Sequence, residues 1–110
     1  MKKYTRLYYD FFDYPKDPTF HVPCEICLKP AVDIHHIDCK GMGGSKEKDF
    51  IENLMGTCRD CHVEHGDNPI FRDALVALHF QFITLHRPDY AIQIHKMGVK
   101  PVVISHLAKK

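Results

Sequence analysis

The sequence predicts an α+β fold in which a small strand–loop–strand–helix unit is closed by a four-cysteine metal site and flanked by helices. Two C-x2-C pairs, Cys24/Cys27 and Cys58/Cys61, lie at turns next to the predicted strands. Apolar residues with helical spacing occur before and after this unit. A single domain of 110 residues buries only about 60–68% of the surface that its unfolded chain exposes, so a structural metal would add stability that its core lacks.

The N-terminal segment, residues 1–19, is predicted to be a helical extension whose helix ends before Pro15. Its aromatic residues recur with helical spacing, at Tyr4, Tyr8, Phe11 and Phe12. This one-sided pattern favours packing of the rings on the core over stacking on nucleic-acid bases.

In the central unit, residues 20–22 and 31–37 are predicted strands that form a hairpin around the first cysteine turn. Residues 38–48 contain three glycines within four positions and are predicted to form a loop. The next segment, 53–57, leads into the second cysteine pair, where a helix over 59–65 begins. The predicted order is therefore strand, loop, strand, helix.

The C-terminal segment, residues 69–110, is predicted to contain a long helix and a basic tail. Asn68 caps this helix, Pro69 opens it and Pro88 ends it. Apolar residues follow at spacings of four and three, at Phe71, Leu75, Leu78, Phe82 and Leu85. This stripe is interpreted as packing on the domain; the alternative is that the 71–85 helix forms a homodimer or docks on a larger complex.

Charge and composition argue against a membrane-spanning or secreted protein. The net charge is +1, and no apolar run approaches the roughly 20 residues that cross a bilayer. The N-terminus lacks the apolar core of a secretion signal, so we expect a cytoplasmic protein. Residues 24–67 carry five basic and nine acidic side chains, whereas 90–110 carries four lysines and no carboxylate. Within this C-terminal part, residues 99–105 are predicted to form an edge strand. The first segment suits a divalent cation and the second suits phosphates.

The two cysteine pairs predict a structural zinc site. They are separated by thirty residues, and a zinc ion would hold four thiolates at about 2.3 Å. A redox role for C-x2-C requires a βαβ context that the sequence lacks, and disulfides are not expected in a cytoplasmic protein. Cys39, the fifth cysteine, is interpreted as a free thiol.

A second group of candidate site residues is rich in histidine. His35 and His36 are adjacent on a predicted strand and so point to opposite faces, which suits a metal ligand on one side and a general base on the other. His62 and His65 are three residues apart on a predicted helix and share a face. The amide oxygen of Asn53 is predicted to accept from the His36 ring and hold its orientation.

These residues occur in a fixed order along the chain: Cys24-x2-Cys27, His35-His36, Glu52-Asn53-Leu54 and Cys58-x2-Cys61-His62. Over residues 20–68 this run resembles the HNH endonucleases, in their zinc-stapled ββα-metal version. The flanks, 1–19 and 69–110, match nothing in that family.

The resemblance implies a metal-dependent endonuclease that hydrolyses DNA phosphodiester bonds. His36 would be the general base, oriented by Asn53, and a catalytic Mg²⁺, Mn²⁺ or Ni²⁺ would bind His35 and His62. His65 and Asp33 are candidates for a further metal ligand. Candidate phosphate contacts are Lys40, Lys46, Lys48 and Arg59.

Two other functions remain open on the sequence. The first is a zinc-stapled module that binds nucleic acid without cutting it, and the second is an assembly subunit of a larger complex. Short free-standing members of the HNH family are often phage-encoded, which would place this protein in the cytoplasm of a host cell.

Overall fold

A computed structural model describes residues 1–38, 46–66 and 68–98. Its helices and strands are, in order, α1 (Lys3–Phe11), β1 (Asp33–His36), β2 (Leu54–Thr57), α2 (Arg59–Cys61) and α3 (Arg72–His86). The predicted α+β class is confirmed. Within the described ranges, no helix is both long and apolar enough to cross a membrane.

Several sequence predictions fall outside the described residues. They concern the free thiol of Cys39, the phosphate contact of Lys40, the glycines of the 38–48 loop, the edge strand at 99–105 and the basic tail.

The two strands form one antiparallel sheet, in which Asp33 pairs with Thr57 and His36 pairs with Leu54. The order of strand, loop, strand and helix is as predicted. The hairpin predicted from 20–22 and 31–37 is present only as a short pairing, in which the N–H of Ala31 donates to the Val22 carbonyl at 2.7 Å and residues 20–22 form no regular strand. Its arms meet at a single bridge between Pro23 and Pro30. Proline has no N–H to donate to a ladder, which keeps this pairing short, and residues 33–36 pair with β2.

Both flanking segments pack on the sheet through two apolar clusters. The first cluster joins α1, both strands and α3, and its buried members are Tyr8, Phe12, Val22, Ile34, Ile51, Leu54, Phe82 and Ile83. The second lies between the end of β1, β2, α3 and the C-terminal 3₁₀ turn Ile94–Met97, and its buried members are Ile37, Met55, Leu75, Val76, Phe80 and Met97. The N-terminal and C-terminal segments therefore complete a core that the two short strands could not enclose.

Helix α3 begins as predicted, since the Asn68 side chain accepts from the N–H of Ile70 at 3.1 Å within the turn Pro69–Phe71 that leads into it. The predicted apolar stripe is partly wrong. Leu78 and Leu85 are 39% and 79% exposed, whereas the buried face consists of Leu75, Val76, His79, Phe80, Phe82 and Ile83. His79 lies on this buried face, so a prediction based on apolar residues alone put the buried face of α3 in the wrong place.

A buried polar network holds α1 and α3 to the first cysteine turn. Glu25, between the first two cysteines, accepts from the Tyr8 hydroxyl at 2.5 Å through one oxygen and from His79 Nδ1 at 2.6 Å through the other. His79 Nε2 lies 2.6 Å from the carbonyl oxygen of Ile51. Both ring nitrogens of His79 therefore face acceptors, which requires both to carry a proton.

The electrostatics agree with a charged His79. Burial opposes the charged form, but the Glu25 carboxylate and the Ile51 carbonyl outweigh it and raise the pKa of His79. Burial and the same carboxylate raise the pKa of Tyr8, so its hydroxyl stays protonated and donates. The network is a buried ion pair in which each polar group has a partner.

Replacing His79 by leucine is expected to lower the free energy of unfolding by about 3 kcal/mol, because the Glu25 carboxylate would stay buried without its charged partner. The pKa of His79 is raised on folding, so its contribution is complete below pH 6.5 and is lost as pH rises through the raised value. Urea denaturation of wild type and His79→Leu at pH 6.5 and pH 9 should give a smaller difference at pH 9.

The matched control is His95→Leu at an exposed histidine, which should change the free energy of unfolding little at either pH. A difference between wild type and His79→Leu that does not vary with pH would show that His79 is neutral in the folded protein.

Candidate functional site

The four paired cysteines converge as the sequence predicted. Their sulfur atoms all lie within 4.8 Å of one another, and none is in a disulfide. Cys27 is exposed and the other three are buried. Tetrahedral zinc with bonds of about 2.3 Å separates its sulfur ligands by about 3.8 Å, so this cluster could hold a structural metal ion such as zinc.

A turn at the first cysteine pair and a helix start at the second bring the four sulfur atoms close together. The first pair lies on a tight turn in which the N–H of Leu28 donates to the Cys24 carbonyl at 2.9 Å. Cys58 caps α2, and its sulfur accepts from the N–H of Cys61 at 3.4 Å. This hydrogen bond and contacts with the other cysteines lower the pKa of Cys58 to about 7, which favours its thiolate, while burial raises the pKa of Cys61. A metal in the cluster would tie the first turn to the start of α2.

The histidine doublet diverges from β1, as the strand geometry predicted. His35 is buried, and its ring centroid lies 4.6 Å from that of His62. His36 points to the opposite side, where its ring lies 4.5 Å from the ring of Tyr4 in an edge-on arrangement. The two histidines therefore belong to different surroundings, one beside the helix after β2 and one beside α1.

The His35–His62 pair lies against Gly66. His35 Nε2 is 3.0 Å from the Gly66 carbonyl oxygen, and histidines that bind metal through one nitrogen commonly use the other to donate to such a carbonyl. A Cβ atom at position 66 would lie 2.8 Å from the His62 ring and 3.2 Å from His35 Nε2. Glycine is thus required here by the close approach of the two rings, and the sequence motif did not reveal this.

His35 and His62 offer a catalytic cation two imidazole ligands at this place. Catalytic metal sites keep open positions for water and substrate, so two protein ligands fit such a cation in part. Among the described residues, the cysteine cluster is the only group of three or more His, Cys, Asp or Glu side chains whose ligand atoms converge.

The two candidates for a further ligand have other contacts. The His65 ring packs edge-on against Phe71 at 4.9 Å, and the Asp33 carboxylate accepts from the N–H of Ile34 at 2.9 Å. His65 was predicted to share a face with His62 on a regular helix. The chain instead forms a wider π turn over His62–Gly66, which changes the angle between side chains three residues apart.

The expectation that Asn53 orients His36 is corrected by the structure. Among the described residues, the buried Asn53 amide bonds to main chain: its oxygen accepts from the N–H of Asp38 at 2.7 Å, and its nitrogen donates to the carbonyls of Asp38 and Lys48 at 3.0 Å each. It thereby joins the two ends of the segment between β1 and β2. The side chain that contacts the ring is Asp49, whose carboxylate oxygen lies 2.8 Å from His36 Nε2. No spacing pattern in the sequence singles out Asp49.

The basic side chains predicted to contact phosphates are spread over separate parts of the chain. Lys46 and Lys48 belong to a 3₁₀ turn, Lys46–Lys48, that precedes Asp49. Arg59 is exposed at the start of α2.

No protein-family model matches this chain, and neither a curated protein nor a solved structure matches it. A function for this protein is therefore proposed from the arrangement of its own residues.

Purified protein is expected to contain one equivalent of zinc, measured by elemental analysis. Cys27→Ser should lose most of this zinc and lower the thermal midpoint by on the order of 10 °C, because the metal would contribute directly to folding. Cys39→Ser is the matched control and should keep both the zinc content and the midpoint. Full zinc content in Cys27→Ser would contradict the assignment of the cluster.

Proposed function

We propose that this protein is a metal-dependent HNH endonuclease that hydrolyses DNA phosphodiester bonds, with His36 as the general base. The observation that carries the proposal is the split of the histidine doublet: His35 lies beside His62, and His36 lies beside a carboxylate. This division separates a metal-ligand pair from a base. The order of the motif along the chain supports the same function.

His36 would take the proton from the attacking water. When Nε2–H donates to the Asp49 carboxylate, the acceptor lone pair of a neutral ring is on Nδ1, so the base is held in one tautomer. The edge-on contact with Tyr4 also restricts rotation of the ring. The attacking water would lie on the Nδ1 side of this ring.

His35 and His62 would hold a divalent cation such as Mg²⁺, Mn²⁺ or Ni²⁺. When bound, such a cation stabilises negative charge on the scissile phosphate and on the leaving oxygen. The products expected from this family chemistry are a 5′ phosphate and a 3′ hydroxyl. Asn53 would act at a distance, by fixing the segment that carries Asp49.

His36→Ala is expected to lower the rate of DNA cleavage by about 10²–10⁴-fold, because it removes the general base. Zinc content and thermal midpoint should stay close to those of wild type. The measurement is cleavage of a labelled DNA with Mg²⁺, Mn²⁺ or Ni²⁺. The matched control is His21→Ala, at an exposed histidine outside the site, which should cut at the wild-type rate.

Cleavage by His36→Ala at the wild-type rate would overturn the proposal. If the wild-type protein binds DNA but does not cut it with any of the three cations, the non-catalytic binding module is the correct function.

Asp49→Asn is expected to lower kcat by about 10–100-fold, the usual cost of removing a group that orients a site residue. KM should change little, because the carboxylate is bonded to the base and, being negative, does not bind the phosphates of the substrate. Asp60→Asn, an exposed carboxylate on α2, is the matched control. A fall in affinity with unchanged kcat would place Asp49 in substrate binding instead.

A further inference from the structure

A cleft lies beside the proposed base and is formed mainly by segments that the HNH resemblance does not cover. Its volume is about 630 Å³, and its walls come from α1, from residues 49–52 and from the C-terminal segment at Tyr90 and Lys96. Asp49 lines the cleft and is the residue bonded to His36. A ligand in the cleft would therefore lie next to the residue that contacts the proposed catalytic base.

The charged groups of the cleft are unevenly paired. Each of its three carboxylates is engaged: Asp10 pairs with Lys16, Asp49 with His36, and Glu52 accepts from the Tyr90 hydroxyl at 2.5 Å and the Gln93 N–H at 2.8 Å. Its three cations are Lys3, Arg6 and Lys96. All three are exposed, and within the described ranges none forms an ion pair. All three carboxylates are bonded to groups of the protein itself, so the three exposed cations are left available for the phosphates of a ligand.

The remaining lining is apolar and largely aromatic, with Leu7, Phe11, Phe50 and Tyr90. The Lys96 ammonium lies 5.1 Å from the centre of the Phe50 ring, so a cation and a ring are presented together. Positive charge interleaved with aromatic rings is the combination by which proteins bind single strands, with phosphates on the cations and bases on the rings.

The accessibility of the bases decides which form of nucleic acid can use both the cations and the rings of the cleft. The bases of an unpaired strand are free to stack on aromatic rings. In a double helix the bases are already stacked on one another, so a duplex would contact the cleft through its phosphates alone.

We infer that this cleft binds a single-stranded polynucleotide segment, with Lys3, Arg6 and Lys96 on its phosphates, and that it directs strands with unpaired nucleotides to His36. This inference rests on the proposed nuclease function for the second step, while binding by the cleft stands independently of it. The two short flanks would then determine the substrate: a branched, flapped or overhanging nucleic acid.

The test is fluorescence anisotropy with a labelled 12-nucleotide single-stranded DNA, the RNA of the same sequence and the matching DNA duplex, without added divalent cation so that no cleavage occurs. The variant is Lys3→Gln/Arg6→Gln/Lys96→Gln. We expect it to bind both single strands at least tenfold more weakly than wild type. Its slope of log K against log salt should be smaller by about 2, because three phosphate contacts on a single strand are lost.

The control variant, Lys2→Gln/Lys29→Glu, makes the same change in net charge at exposed positions that do not line the cleft. It should bind single strands within threefold of wild type. Equal losses in the two variants, or no loss in the cleft variant, would overturn the inference. Duplex binding that is tighter than single-strand binding and is lost in the cleft variant would also overturn it.

The same titration in the His36→Ala background separates the two proposals. Wild-type affinity for single strands together with lost cleavage supports both of them. Normal cleavage by His36→Ala would overturn the catalytic role of His36, while the binding titration would still decide the role of the cleft.

Discussion

The packing of this chain depends on one buried carboxylate. Glu25 lies in the first cysteine turn, and it bonds to Tyr8 from α1 and to His79 from α3. A buried charge is tolerated only when its partners remain in place. The cysteine cluster and the two flanking helices are therefore linked energetically, since displacing either helix would leave a charge without its partner.

The same constraint brings the N-terminal helix to the candidate site. With Tyr8 anchored to the carboxylate, Tyr4 lies one turn earlier on α1 and reaches the His36 ring. Lys3 and Arg6 then face the cleft that contains Asp49. A segment that lies outside residues 20–68 thus forms one wall of the cleft, and under the proposed function it would contribute to substrate preference.

The cysteine cluster and the His35–His62 pair are joined by the covalent chain. Cys61 and His62 are consecutive residues, so whatever fixes the sulfur of Cys61 also restricts the position of the His62 ring relative to His35. Gly66 completes this arrangement by allowing the chain to pass close to both rings. A metal in the cysteine cluster would therefore position the histidine pair without contacting the substrate.

The sequence by itself determined the features that depend on local spacing. These were the α+β class, the cysteine cluster, the short N-terminal helix, the longer α3 with the Asn68 cap, and the divergence of His35 from His36, because strand and helix geometry dictate which neighbours share a face. Tertiary structure alone decided the pairing of β1 with β2, the buried face of α3 around His79, and the contact of His36 with Asp49 in place of Asn53. Each of these depends on which distant groups meet in the folded chain, and residue spacing carries no record of such long-range contacts.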